Sequence, residues 1–135
     1  MEIAFFDAAV MAGFPSPAND YLEKRLDLND IIIKHPLSTF IVSCKGDSMI
    51  NAFIPPKAML VIDRSLTPKN GDIVLAVLNG EFTVKYLKKN DRKCWLVPAN
   101  NKYRDIEITG DIDMQVWGVV TFIFSNPNDL KKCML

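Results

Sequence analysis

The sequence has few of the residues that build metal sites and disulfide frameworks. Its 135 residues include one histidine and three cysteines. An odd cysteine count without metal-ligand spacing argues against both a disulfide framework and a zinc site. Glycine-rich phosphate loops are also absent. We therefore expect no metal and no cofactor, and a reducing cytoplasm is the simpler setting for the three thiols.

An excess of either charge is also lacking. Sixteen basic residues balance sixteen acidic ones, whereas proteins that grip a nucleic-acid backbone usually carry a basic excess. We therefore expect no direct sequence-specific DNA binding, although a partner that binds DNA fits the composition. No segment reaches the roughly 18 uninterrupted apolar residues of a membrane span. The apolar stretch 3–14 lacks the basic flank of a signal peptide and contains Asp7, so a cytoplasmic protein without membrane contact is expected.

The length and composition predict one globular domain that follows an N-terminal arm. A chain of 135 residues, 49% of them hydrophobic, can bury a core without metal or disulfide staples. Pro15 and Pro17 favour extended backbone near the start of the chain, and Gly13 adds a flexible point before them. We predict a flexible arm over residues 1–20 and a β domain over residues 21–135.

Beyond the arm, the pattern is mostly β. A short helix or turn is expected within residues 20–34, before Pro36. Asn79 and Gly80 predict a two-residue type I′ hairpin turn, because both tolerate the positive φ that this turn requires. The predicted strands are residues 39–45, 58–63, 73–78, 81–88, 93–97, 105–109 and 115–124. Seven short strands separated by turn signals predict a partly closed β-barrel or sandwich.

Two side chains offer nucleophilic chemistry. Ser48 lies in a glycine turn after a predicted strand, where consecutive N–H groups can bind an oxyanion, although serine is also an ordinary turn residue. Lys85 lies inside a predicted strand, and alternation places it on the same face as Thr83 and Leu87. Periodicity favours the solvent face for Lys85, because charged residues are rarely buried unpaired.

The alternative for Lys85 is a buried position. Burial lowers a lysine pKa, and a neutral Lys85 amine can take the proton of Ser48 in a Ser-Lys mechanism that needs no histidine. A Ser-His-Asp triad would have to use His35, which is otherwise expected to be a surface or loop residue. Periodicity does not decide between these alternatives.

Four blocks of sequence together resemble the self-cleaving Ser-Lys proteins that include LexA and UmuD. The blocks are residues 12–18 (AGFPSPA), 46–49 (GDSM), 71–74 (GDIV) and 81–85 (EFTVK). Each block alone is weak, but their joint order and spacing is highly specific. The resemblance covers the chain from Gly13 to about Phe124, and the FPSPA run and the overall length are similar to the UmuD branch.

The resemblance implies a LexA- and signal-peptidase-like β fold and a self-cleaving serine peptidase. It implies that Ser48 is the nucleophile and Lys85 the general base. It further implies that the backbone amides of Asp47 and Ser48 bind the oxyanion. The implied scissile bond joins Ala12 to Gly13.

The same resemblance implies a role in the DNA-damage (SOS) response. A RecA nucleoprotein filament would stimulate self-cleavage. The trimmed homodimer would then join a UmuC-like subunit of a Y-family polymerase and support error-prone translesion synthesis. The neutral charge agrees with this role, since DNA contact would belong to the polymerase and to the filament.

Two departures from the family pattern and two alternatives accompany this interpretation. Only 12 residues precede the implied cleavage point, too few for a helix-turn-helix, so a repressor is not expected. UmuD has a longer arm and a cysteine where this chain has Ala12, which is similar to LexA at that position. The alternatives are a non-catalytic protein-binding module with the same fold and a signal-peptidase-like protease that acts in trans.

Overall fold

The computed structural model describes residues 1–6 and 23–134. Most of the regular secondary structure in these residues is β-strand. The chain divides into two units, Met1–Lys34 and His35–Leu135. The prediction of a mostly β fold is confirmed. The predicted division at residue 20 stays a prediction, because the residues on both sides of it lie outside the described part of the chain. No described helix has the length and apolar character needed to cross a bilayer.

In the described part of the first unit, a two-stranded antiparallel ribbon is followed by a short helix. Strand β1 (Glu2–Phe6) pairs with β2 (Glu23–Asp27), and helix α1 (Leu28–Ile32) follows directly. Asp27 caps this helix, since its carboxylate accepts a hydrogen bond of 3.0 Å from the Asn29 amide. The helix confirms the short helix expected in this region. The β1–β2 pairing was not predicted, because the two strands are distant in sequence.

The second unit is built on seven antiparallel strands. They are β3 (Thr39–Ser43), β4 (Met59–Asp63), β5 (Ile73–Leu78), β6 (Glu81–Lys89), β7 (Cys94–Val97), β8 (Ile106–Glu107) and β9 (Met114–Phe124). Their order in the sheet is β3, β4, β9, β5, β6, β7, β8, with β3 and β8 as edges, so the sheet is open. Short 3-10 helices span Pro36–Ser38 and Ile50–Ala52, and helix α2 spans Pro127–Met134. Each of the seven predicted strands is confirmed.

Strand β5 lies at the centre of the core and is covered on both faces. Leu75 packs into one buried cluster, which includes Leu60 and Ile62. Val74 and Ala76 point the other way, into a second cluster. An antiparallel strand with one wet face would alternate apolar and polar residues. Coverage of both faces explains why β5 is instead an uninterrupted apolar run.

The hairpin between β5 and β6 confirms the predicted turn and carries a stability prediction. Asn79 and Gly80 have φ of 48° and 84°, as a type I′ turn requires. Gly80→Val forces a β-branched residue into this left-handed region and should lower the free energy of unfolding by about 1–2 kcal/mol. Urea denaturation measures the change. Gly110→Val is the matched control, because Gly110 lies outside the positive-φ region and has open space around its Cα. Equal midpoints for the two variants would contradict the turn assignment.

Candidate active site

The fold brings Ser48 and Lys85 into hydrogen-bond contact. The Lys85 Nζ atom lies 3.0 Å from the Ser48 Oγ atom. Ser48 follows β3, whereas Lys85 lies in the middle of β6, and three strands separate β3 from β6 in the sheet. Interactions between neighbours in sequence therefore cannot produce this contact. It depends on the tertiary fold.

Two further oxygens surround the Lys85 amine. Lys85 Nζ donates to Thr83 Oγ1 at 2.8 Å and to the Val84 carbonyl at 3.1 Å. An ammonium group has three donors and can satisfy all three neighbouring oxygens. A neutral amine keeps two N–H donors, which Thr83 and Val84 can accept, and its lone pair is then left for the Ser48 hydroxyl. These contacts can hold Lys85 in the orientation that proton transfer requires.

The surroundings of Lys85 favour the neutral amine. The side chain is half-buried rather than on an open solvent face, and this burial lowers its pKa, an effect that the charge of a Cys44 thiolate opposes. Burial raises the pKa of the Cys44 thiol, so Cys44 is uncharged near neutral pH. Within the described residues, no carboxylate forms an ion pair with Lys85.

The turn that carries Ser48 leaves two backbone amides available. Gly46 has a φ of 79°, a conformation that glycine adopts without strain. The Asp47 carbonyl accepts from the Ile50 amide at 3.1 Å, and the Ser48 carbonyl accepts from the Ala99 amide at 2.8 Å. The amides of Asp47 and Ser48 donate to no other residue in the described ranges. Consecutive amides of this kind are the donors that an oxyanion needs.

An open cleft of about 420 Å³ lies over this pair. Its lining residues are Phe40, Val42, Ser43, Cys44, Lys45, Ser48, Leu75, Phe82, Thr83, Val84, Lys85 and Trp117. Two of its aromatic rings, Phe82 and Trp117, meet edge to face with centroids 5.2 Å apart. The cleft thus combines a polar pair with an apolar aromatic wall, which suits an extended peptide with apolar side chains.

Three polar residues near the site were not singled out from the sequence. Thr83 shares the face of Lys85 by strand alternation, and this spacing was the available signal for its contact. Asn100 Nδ2 donates to the Asp47 carbonyl at 2.9 Å, and the Tyr103 hydroxyl donates to Asp47 Oδ1 at 2.6 Å. These last two partners lie more than 50 residues from Asp47 in sequence, so no local pattern indicates them.

His35 belongs to a different cluster. Its Nδ1 atom lies 2.5 Å from Asp63 Oδ2, and Asp63 also accepts hydrogen bonds from Ser38 and Ser65. Burial raises the pKa of Asp63, but the hydrogen bonds from Ser65, His35 and Ser38 outweigh it and hold the pKa well below its ordinary value. Ser48 is not among the described contacts of His35, so the geometry favours Lys85 over His35 as the proton acceptor for Ser48.

The implied scissile residues, Ala12 and Gly13, lie outside the described residues. Residues 1–6 and 23–134 contain no cluster of three or more histidine, cysteine, aspartate or glutamate side chains that could hold a metal ion.

A family model and several known proteins match most of this chain and show the family to which it belongs. The chain belongs to the Peptidase S24-like family, whose family model matches residues 4–121. The chain is 40% identical over 120 residues to protein MucA of Salmonella typhimurium, covering 88% of this chain and 82% of MucA. It is 44% identical over 110 residues to protein SamA of Salmonella typhimurium strain LT2, covering 82% of this chain and 76% of SamA.

A LexA repressor is also similar. The chain is 36% identical over 113 residues to the LexA repressor of Desulfatibacillum aliphaticivorans, covering 82% of this chain and 55% of the repressor. Together these matches confirm the resemblance to the LexA and UmuD proteins that the four sequence blocks indicated.

Proposed function

We propose that this protein is a self-cleaving serine peptidase of the DNA-damage (SOS) response that cuts its own chain between Ala12 and Gly13. The observation that carries the proposal is the 3.0 Å contact between Ser48 Oγ and the half-buried Lys85 amine. A serine hydroxyl is a weak nucleophile unless an adjacent base takes its proton. A lysine whose pKa is lowered by burial is such a base.

The reaction proceeds as acyl transfer followed by hydrolysis. Ser48 Oγ attacks the Ala12 carbonyl carbon while Lys85 takes the hydroxyl proton, and the amides of Asp47 and Ser48 bind the oxyanion. Lys85 then gives the proton to the Gly13 nitrogen as the peptide bond breaks, which leaves Ala12 esterified to Ser48. Water attacks the ester with Lys85 again as base. The products are residues 1–12 with a free carboxylate and a chain that begins at Gly13.

The residues before the implied cut have side chains of the chemical type that the cleft lining could accept. Val10 and Met11 are apolar and match an aromatic wall that includes Phe82 and Trp117. The side chain of Ala12 is a single methyl group. These matches support a peptide substrate supplied by the arm, residues 1–20.

Cleavage serves a polymerase rather than a repressor in this proposal. The RecA nucleoprotein filament stimulates the cut, and the trimmed homodimer joins a UmuC-like subunit of a Y-family translesion polymerase in the cytoplasm. The family match and the 40–44% identity to MucA and SamA support this role. The balanced charge supports a protein that reaches DNA through its partners.

One incubation tests the proposal. The purified wild-type chain is held at pH ~10, where more lysine is neutral, and in parallel at neutral pH with activated RecA filament. Intact mass and N-terminal sequencing should show a fragment that begins at Gly13, and Ser48→Ala should give none. No fragment under either condition would favour the non-catalytic binding module. A fragment from Ser48→Ala would exclude Ser48 as the nucleophile, and trimming of an added secretory precursor would favour the trans-acting protease.

A further inference from the structure

A second loop holds the turn that carries Ser48. We call residues 46–49 the nucleophile turn and residues 98–103 the anchoring loop. The Ala99 amide donates to the Ser48 carbonyl at 2.8 Å, and the Ala99 carbonyl accepts from the Asn51 amide at 2.8 Å. Ala99 also packs against the buried cluster that contains Met49. The anchoring loop therefore contacts the core and is hydrogen-bonded to both ends of the segment 48–51.

Two side chains of the anchoring loop reach the residue before the nucleophile. Asn100 Nδ2 donates to the Asp47 carbonyl at 2.9 Å, and the Tyr103 hydroxyl donates to Asp47 Oδ1 at 2.6 Å. Asn100 and Tyr103 are themselves linked, because the Tyr103 amide donates to the Asn100 carbonyl at 3.1 Å. Asp47 is thus held at its backbone and at its carboxylate by one loop.

We propose that Tyr103 is a positioning residue for self-cleavage, which through its hydrogen bond to the Asp47 carboxylate holds the amides of Asp47 and Ser48 where they bind the oxyanion. This inference rests on the proposed function. An oxyanion hole is effective only when its donors are preorganised, within about half an ångström of the productive geometry. Gly46 has a φ of 79°, a conformation that glycine adopts without strain, and the hydrogen bonds from the anchoring loop restrain the residue that follows it.

The ionisation of Tyr103 is compatible with this role. The hydrogen bond to Asp47 and the negative charge of Asp47 raise the pKa of Tyr103 above its ordinary value. The other charged residues next to it in sequence are Lys102 and Arg104, both exposed. The upward shift of the Tyr103 pKa favours the protonated hydroxyl, which is the donor form, and the downward shift of the Lys85 pKa favours the neutral amine.

The test is the self-cleavage rate of Tyr103→Phe between pH 7 and pH 10, followed as appearance of the fragment that begins at Gly13. We expect a rate about 10- to 100-fold below wild type at each pH, the loss typical of a small misplacement of reacting groups. The midpoint of the rise with pH should not change, because Lys85 is not touched. Tyr103 is 46% exposed, so the urea midpoint should stay close to that of wild type.

Variants of Asp47 test the same contact from its other side. Asp47→Ala should lower the rate as Tyr103→Phe does, and the double variant should be no slower than either single one, since both remove one interaction. Asp47→Asn keeps an acceptor oxygen and should retain an intermediate rate. Thr109→Val is the matched control, because it removes a hydroxyl-to-carboxylate hydrogen bond to Asp111 in a loop away from the cleft, and it should cleave at the wild-type rate.

The outcomes separate this inference from the proposed function. A wild-type rate for Tyr103→Phe would overturn the positioning role while leaving Ser48 and Lys85 in place. A shifted pH midpoint would also overturn it, because Tyr103 would then act through Lys85 rather than through the oxyanion donors. Failure of the wild-type chain to cleave would overturn the proposed function itself.

Discussion

Lys85→Met should reduce self-cleavage by about 10³-fold or more at every pH, since a general base commonly contributes 10²- to 10⁴-fold and no second base contacts Ser48 among the described residues. Lys85→Arg is the sharper variant. Arginine keeps the positive charge and much of the length, yet it does not lose its proton in proteins. If Lys85 acts as a base, both variants are inactive, and fragment formation measured by intact mass shows it.

The pH dependence of the wild-type rate has a defined sign. If Lys85 is the base, its reactive form is the neutral amine, so the rate should rise with pH and level off once the amine has lost its proton. Because burial lowers the pKa of Lys85, the midpoint of this rise should fall below the ordinary lysine value of about 10.4. A flat profile between pH 7 and pH 10, or an active Lys85→Arg, would contradict the base assignment.

The stability of Lys85→Met shows whether a loss of activity reflects a loss of folding. A lysine whose folded pKa lies below its unfolded pKa binds fewer protons in the folded state, so its burial lowers stability at pH values below both pKa values and the penalty fades as pH rises. Removing the charge should therefore leave the urea midpoint at neutral pH equal to that of wild type or higher. Loss of activity without loss of stability separates catalysis from folding.

Gly118→Ala should produce the largest loss of stability among the glycine variants, about 3 kcal/mol, a value near the upper end for overpacked cores. Gly118 lies in β9 opposite Leu75, next to a register shift in the β5–β9 ladder. A Cβ atom there would lie 2.5 Å from Ile62 Cγ2 and 3.1 Å from the Asp63 carbonyl oxygen. Ile62 is fully buried, so neither neighbour can move away freely. Urea denaturation monitored by far-UV circular dichroism measures this loss of stability.

A double-mutant cycle identifies the clash as the cause. Ile62→Ala removes the methyl group that the new Cβ would meet, so Gly118→Ala should lower stability less in the Ile62→Ala background than in wild type. Gly110→Ala, with no atom within 4 Å of its added Cβ, should change stability little. Equal effects of Gly118→Ala in both backgrounds would refute the steric explanation.

Local sequence was sufficient for the strands and for the β5–β6 hairpin. The turn at Asn79 and Gly80 needs positive φ at two consecutive positions, and few residue pairs tolerate that. The apolar run of β5 is long enough for a strand and too short for a typical helix. In both cases the determining interactions lie within a few residues, which is why sequence patterns predict them.

The burial of Lys85 shows where strand periodicity fails. Alternation placed Lys85 with Thr83 and Leu87 and favoured solvent for that face. Both faces of β6 are covered in the structure, with Leu87 buried in one cluster and Val84 packed against the other. Alternation distinguishes the two faces of a strand. It does not show whether a face is exposed to solvent, because the residues that cover it come from distant parts of the chain.

The sequence by itself determined the β class, the hairpin and, through four spaced blocks, the family and the candidate pair Ser48 and Lys85. Only the tertiary structure decided that these two side chains meet, that the amine is half-buried and that the loop with Tyr103 holds the turn with Asp47. The physical reason is the separation along the chain over which each kind of interaction acts. Turn and strand preferences act between neighbours in sequence, whereas desolvation and the contacts of a catalytic site depend on residues that only the folded sheet brings together.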